Sequence, residues 1–190
     1  MSKLSNDIII KPDYRGVKMI SYILIIGAVI AGIVGYGHIQ DDKLEDLPDG
    51  QVEIIIATPN SHGDDISIED YQAYHDKLRS NGAYQLLGYS LVCGMSLVLI
   101  GAVLIRLFRK EGVYIATTGA TISLIGGVIA NLRFQSAANE YLEGALVSNT
   151  TLMTYVCGSM MGMCTLLAAL PLVNAGARLT LKPKKTDEEE

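Results

Sequence analysis

Residues 84–105 read YQLLGYSLVCGMSLVLIGAVLI, from Tyr84 to Ile105 without a single charged side chain. About 20 apolar residues at 1.5 Å per residue cross roughly 30 Å of hydrocarbon, whereas a helix at the edge of a water-soluble core keeps a polar face. Val17–His38, Val113–Leu132 and Thr151–Asn174 are similarly poor in charge. The chain has 190 residues, of which 49% are hydrophobic and 18% charged, and the charges gather in blocks between these stretches. Four such stretches leave no polar shell for a soluble fold. They do not alternate as barrel strands would, so helices must satisfy their backbone groups in lipid. The sequence predicts an all-α integral membrane protein with four transmembrane helices in a bundle. This membrane domain covers 17–175, between an N-terminal segment (1–16) and a charged tail (176–190).

The first apolar run, Met19 to Val34, is longer than a signal-peptide core and follows a polar segment, which predicts an uncleaved anchor. Orientation follows from the basic residues. Eleven of the fifteen fall on one side: Lys3, Lys11, Arg15 and Lys18; Arg106, Arg109 and Lys110; Arg178, Lys182, Lys184 and Lys185. Positive charge stays cytoplasmic, so both termini are expected on the cytoplasmic side of the cell membrane, and the basic inner face suits anionic membrane lipids. The loop over 39–83 carries eleven acidic residues against Lys43, Lys77 and Arg79 and is expected outside. Cys93, Cys157 and Cys164 lie within spans, as small apolar packing residues rather than a disulfide framework.

The outer loop is expected to be partly ordered. Gln51–Thr58, with Ile54-Ile55-Ile56, reads as a short strand ended by Pro59-Asn60. Ser67 and Asp70 have capping-box spacing, and Ile68, Tyr71, Tyr74, His75 and Leu78 then share one face of an amphipathic helix. Asn81-Gly82 ends it. Beyond the third span, Phe134–Ala145 is expected to continue as helix.

Small residues recur along each span, where they let helices approach closely in lipid. They are Gly27, Ala31 and Gly35 on the first; Ser90, Gly94 and Gly101 on the second; Gly119, Ser123 and Gly127 on the third; and Gly158 and Gly162 on the fourth. Two local matches, Ile26–Ile33 with Ile125–Leu132 and Val92-Cys93-Gly94 with Val156-Cys157-Gly158, raise an internal duplication as one reading and chance similarity as the other.

The span interiors hold no Asp, Glu or Lys. His38 and Arg133 sit near outer ends, and Asn131 is the most polar residue at depth, suited to an interhelical hydrogen bond or a solute contact. His62, Asp64, Asp65, His75 and Asp76 have metal-ligand chemistry but no standard motif spacing. Asn149-Thr150-Thr151 is a formal glycosylation sequon beside the fourth span. No catalytic set, cofactor loop or metal site is expected, and the basic residues flank lipid rather than a nucleic-acid surface.

Four spans with a larger first outer loop make a layout similar to the claudin-type tetraspan arrangement. That family's outer loop carries a tryptophan signature and a cysteine pair, and this chain has no Trp and no loop cysteine. Tetraspanins differ in having a larger, cysteine-rich second loop. The functional expectation is a non-catalytic scaffold, accessory subunit or assembly factor. It would bind a protein partner, or a second copy of itself, within the bilayer. The alternative is an oligomeric channel or carrier for a small solute or cation.

Overall fold

The computed structural model describes residues 11–181. Lys3 and the acidic end Asp187–Glu190, with Lys182, Lys184 and Lys185, lie outside the described residues. Within them the chain forms seven helices: α1 (Tyr14–Asp41), α2 (Asp49–Ser61), α3 (Ile68–Ser80), α4 (Ala83–Arg106), α5 (Lys110–Tyr141), α6 (Gly144–Val173) and α7 (Ala175–Thr180). α1, α4, α5 and α6 are long and apolar enough to cross a membrane. The chain is a multi-pass α-helical membrane protein.

The four long helices pack in chain order. α4 and α5 form the central pair, α1 lies on α4, and α6 lies on α5, with a lighter contact between α1 and α6. In their most apolar stretches 44% of α4 residues and 39% of α5 residues are buried, against 22% for α1 and 11% for α6. The outer two helices are therefore largely dressed by lipid. On α1 the buried Val17, Ser21, Leu24, Ala28 and Gly35 follow the four-and-three spacing of a coiled-coil seam, which keeps one narrow face on α4.

The turn from α4 to α5 shows how local chemistry fixes this hairpin. Arg109 N–H bonds the Leu104 carbonyl (3.0 Å) and Phe108 N–H bonds the Ile105 carbonyl (2.9 Å). This is a Schellman ending, whose left-handed position usually carries glycine. Here it is Phe108, at φ 57°. Its ring packs edge-on against Tyr14 at 5.3 Å and under the Lys18 ammonium at 5.7 Å. Those contacts offset part of the cost of a left-handed non-glycine residue, of order 1–3 kcal/mol.

The loop over 39–83 holds two helices, α2 and α3, which corrects the strand expected over Gln51–Thr58. Those residues belong to α2, and the described residues contain no strand. Isoleucine favours strands only where a neighbouring strand completes the ladder. None is available here, and a helix satisfies its own backbone. Val52, Ile56 and Pro59 then share one buried face, leaving Ile54 exposed. α3 begins with a reciprocal capping box between Ser67 and Asp70 and buries Tyr74, His75 and Leu78. Together α2, α3, the C-terminal end of α5 and the start of α6 enclose a second small core that includes Val52, Leu78, Ala137 and Leu142. This cap sits over the start of α4 and the end of α5.

At the opposite end Asn174 turns the chain. Its carboxamide accepts the Ala177 N–H (3.1 Å), starting α7, whose Ala177 and the following Leu181 join the main core. Asp13 N–H bonds the Gly176 carbonyl (3.2 Å), so the segment before α1 lies against α7.

Candidate functional site

The small residues meet in three reciprocal glycine pairs. On α1 and α4, a methyl carbon at Gly35 would lie 3.1 Å from the Gly88 carbonyl oxygen, and one at Gly88 would lie 2.9 Å from that of Gly35. On α4 and α5, Gly101 and Gly112 oppose each other, each with room for a methyl carbon only 2.6 Å from the other's carbonyl oxygen. Gly94 and Gly119 form the third pair, beside Ser123. Adding any side chain there meets backbone, which cannot swing aside.

Hydroxyls close the same seams. Ser21 Oγ–H, fully buried, donates to the Ala102 carbonyl (2.9 Å), and Ser123 donates to the Ser90 carbonyl (3.1 Å). Gly35 and Ser21 are as far apart on α1 as Gly88 and Ala102 are on α4, so both contacts belong to one antiparallel register. Gly88 and Ser21 escape a search for small residues every fourth position, whereas Gly112 begins such a series with Ala116 and Ala120. The available signal is a seven-residue period, in which Gly94 and Gly101 on α4 answer Gly119 and Gly112 on α5.

The remaining residues singled out in the sequence lie elsewhere. Gly127 receives the Met161 side chain from α6. Ala31 is half-buried beside the core. Gly27, Gly158 and Gly162 have no neighbouring atom where a methyl group would stand. Asn131 is buried, but its Nδ2 donates to the Gly127 carbonyl of its own helix (2.8 Å).

A polar cluster joins the cap to the spans. His75 is fully buried. Its Nε2 faces the Leu44 carbonyl (3.1 Å), which only accepts, so Nε2–H donates and Nδ1 accepts from the Tyr84 hydroxyl (3.0 Å). The Tyr84 ring lies edge-on to Phe134 at 5.4 Å, and His38 stacks 6.1 Å from Tyr84. Arg79 donates to the Asp42 carbonyl (3.2 Å) and the Glu45 carbonyl (3.0 Å), fastening the stretch after α1 to α3. Lys77 reaches Glu140 at 2.9 Å, fixing α3 to α5, and hydrogen bonding to Glu140 raises the lysine above its ordinary range. Burial pushes the Tyr71 and Tyr74 phenols up, so both stay neutral packing groups at physiological pH.

The residues with metal-ligand chemistry disperse. His75 is committed as above, and His62 Nδ1 lies against the Thr58 carbonyl (2.8 Å). Asp64 instead accepts the Ala145 N–H (2.7 Å), capping α6 from 81 residues away. Among the described residues no three His, Cys, Asp or Glu side chains come together as a metal site.

No family model, curated protein or solved structure matches the chain.

Proposed function

We propose that this protein is a non-catalytic accessory or scaffold subunit, with both termini cytoplasmic, that offers α6 to a partner helix inside the bilayer. The observation that carries the reading is the open surroundings of Gly158 and Gly162 on a span that packs chiefly on one neighbour. In lipid, a GxxxG face is suited to close helix–helix contact. Ser21 and Ser123 bond helix backbone across seams, and Asn131 and Thr165 bond it within their own helices, while the buried Thr117 hydroxyl has no partner among the described residues. The backbone-to-backbone seams of α1, α4 and α5 favour this reading over a conduit through the protomer.

Purification in mild detergent tests it. The wild-type protein should retain a stoichiometric membrane protein or a second copy of itself. The double variant Gly158→Leu, Gly162→Leu should elute alone with an unchanged melting temperature. Solute flux from the purified protein in liposomes, abolished by Asn131→Leu, would replace this reading with the channel. For orientation, a cysteine at Asp49 should react with an impermeant reagent on intact cells, and one at Lys110 only after permeabilisation. The reverse pattern would invert the topology.

A further inference from the structure

At the basic end, the first turn of α5 and the corner between α6 and α7 enclose a cleft of ≈ 270 Å³. Lys110 and Arg178 line it together with Val113, Pro171, Leu172 and Leu181, and Tyr114 completes the wall. We propose that this cleft binds the phosphate headgroup of an anionic phospholipid.

Three observations point to that chemistry. The first is charge that no acidic side chain among the described residues pairs with. Lys18 and Arg106, at the same end, lie over the rings of Phe108 and Tyr22. Lys110 and Arg178 form no ion pair among the described residues, and both are exposed. Glu111, although adjacent in sequence, does not line the cleft. The second is the apolar wall, which suits the glycerol and first methylenes of a lipid better than a free anion with its hydration shell. The third is place and size. Lys110 opens one span, and Arg178 follows shortly after another ends at Val173, so the cations stand at headgroup level. A cleft of this volume falls below the ≈ 300–1,000 Å³ of an enclosed small-molecule pocket. It holds a headgroup while the acyl chains remain in the bilayer. Arg178 supplies a planar donor fork for phosphate oxygens and Lys110 a mobile point charge.

The purified full-length protein, exchanged into neutral detergent, is titrated with phosphatidylglycerol, phosphatidylcholine or inorganic phosphate and followed by native mass spectrometry and thermal melting. The expected result is one tightly retained phosphatidylglycerol per chain, with a raised melting temperature and little effect of phosphatidylcholine. Lys110→Gln and Arg178→Gln should each weaken retention roughly fivefold, the factor for one basic residue at an anionic surface. Lys18→Gln, which removes the same charge outside the cleft, should leave it unchanged. An equal loss with Lys18→Gln would show diffuse attraction and overturn the site. So would unchanged retention in the Lys110→Gln, Arg178→Gln double variant, or equal retention of phosphatidylcholine. Stabilisation by inorganic phosphate with none by phosphatidylglycerol would overturn the lipid assignment.

Discussion

The tripeptide Val-Cys-Gly occurs at Val92-Cys93-Gly94 on α4 and again at Val156-Cys157-Gly158 on α6, and its two glycines meet opposite surroundings. Gly94 lies against Gly119 and Ser123 of α5, whereas nothing approaches the corresponding point on Gly158. A small residue permits close packing only where the facing helix is also stripped of side chain. α5 presents Gly112 and Gly119 toward α4, but toward α6 its Gly127 receives the bulky Met161. One seam is backbone on backbone. The other is a side chain seated on a glycine, and it leaves part of α6 free.

The strongest way to break this distinction is to enlarge the two faces separately. Gly101→Leu puts a carbon 2.5 Å from the Ala116 nitrogen and 2.6 Å from the Gly112 oxygen. It should cost about 3 kcal/mol or more, read as loss of monodisperse protein or a large fall in melting temperature. Gly158→Leu should stay within about 0.5 kcal/mol in the isolated protein. Equal falls would show that α6 is as tightly seated as α4.

A smaller effect is expected at the N-terminus of α6, where Asp64 is the cap. Glu143, at the helix's own N-cap position, makes no side-chain capping bond. Asp64→Ala should destabilise this attachment by about 1 kcal/mol, seen as faster amide exchange in the first turn of α6 while α4 and α5 remain protected. Uniform loss of protection in all three helices would mean that α6 is not a separable element.

The smallest effect belongs to α3, which sharpens the comparison by leaving the spans alone. Hydrogen bonds from the Ser67 side chain and backbone hold the Asp70 carboxyl below its ordinary range. Because the folded value is depressed, the cap contributes fully above the unfolded value of about 3.9. Its contribution fades as pH falls below that, through the lowered folded value. Acid should therefore speed amide exchange at the start of α3, and Asp70→Asn should flatten that acid response without altering the span helices. An unchanged acid response in the variant would assign it to another carboxylate.

Four spans were legible because lack of charge over about 20 residues has few explanations. The register of the spans was less so, since glycine, serine and alanine occur on lipid-facing and partner-facing sides alike. Gly35 and Gly27 look equivalent in the sequence, yet only Gly35 has an opposing glycine, Gly88. Ile54-Ile55-Ile56 misled because strand preference depends on a neighbour that sequence does not display. Asp64 read as a metal-type acid because its partner, Ala145, is remote along the chain. The face of α3 was recoverable from periodicity, but His75's bonds to Leu44 and Tyr84 were not.

α5 is a single helix of 32 residues. At 1.5 Å per residue it is a rod about 48 Å long, while the hydrocarbon layer is roughly 30 Å thick. About a third of the rod therefore stands outside the oil. The cap is fastened to its C-terminal end through Lys77 and Glu140, while Lys110 opens its other end. The cap consequently stands at one headgroup layer, with Tyr71, Tyr74 and Tyr141 turned into its own small core. A tilt of this one strut would carry the cap and the basic end together, in opposite directions.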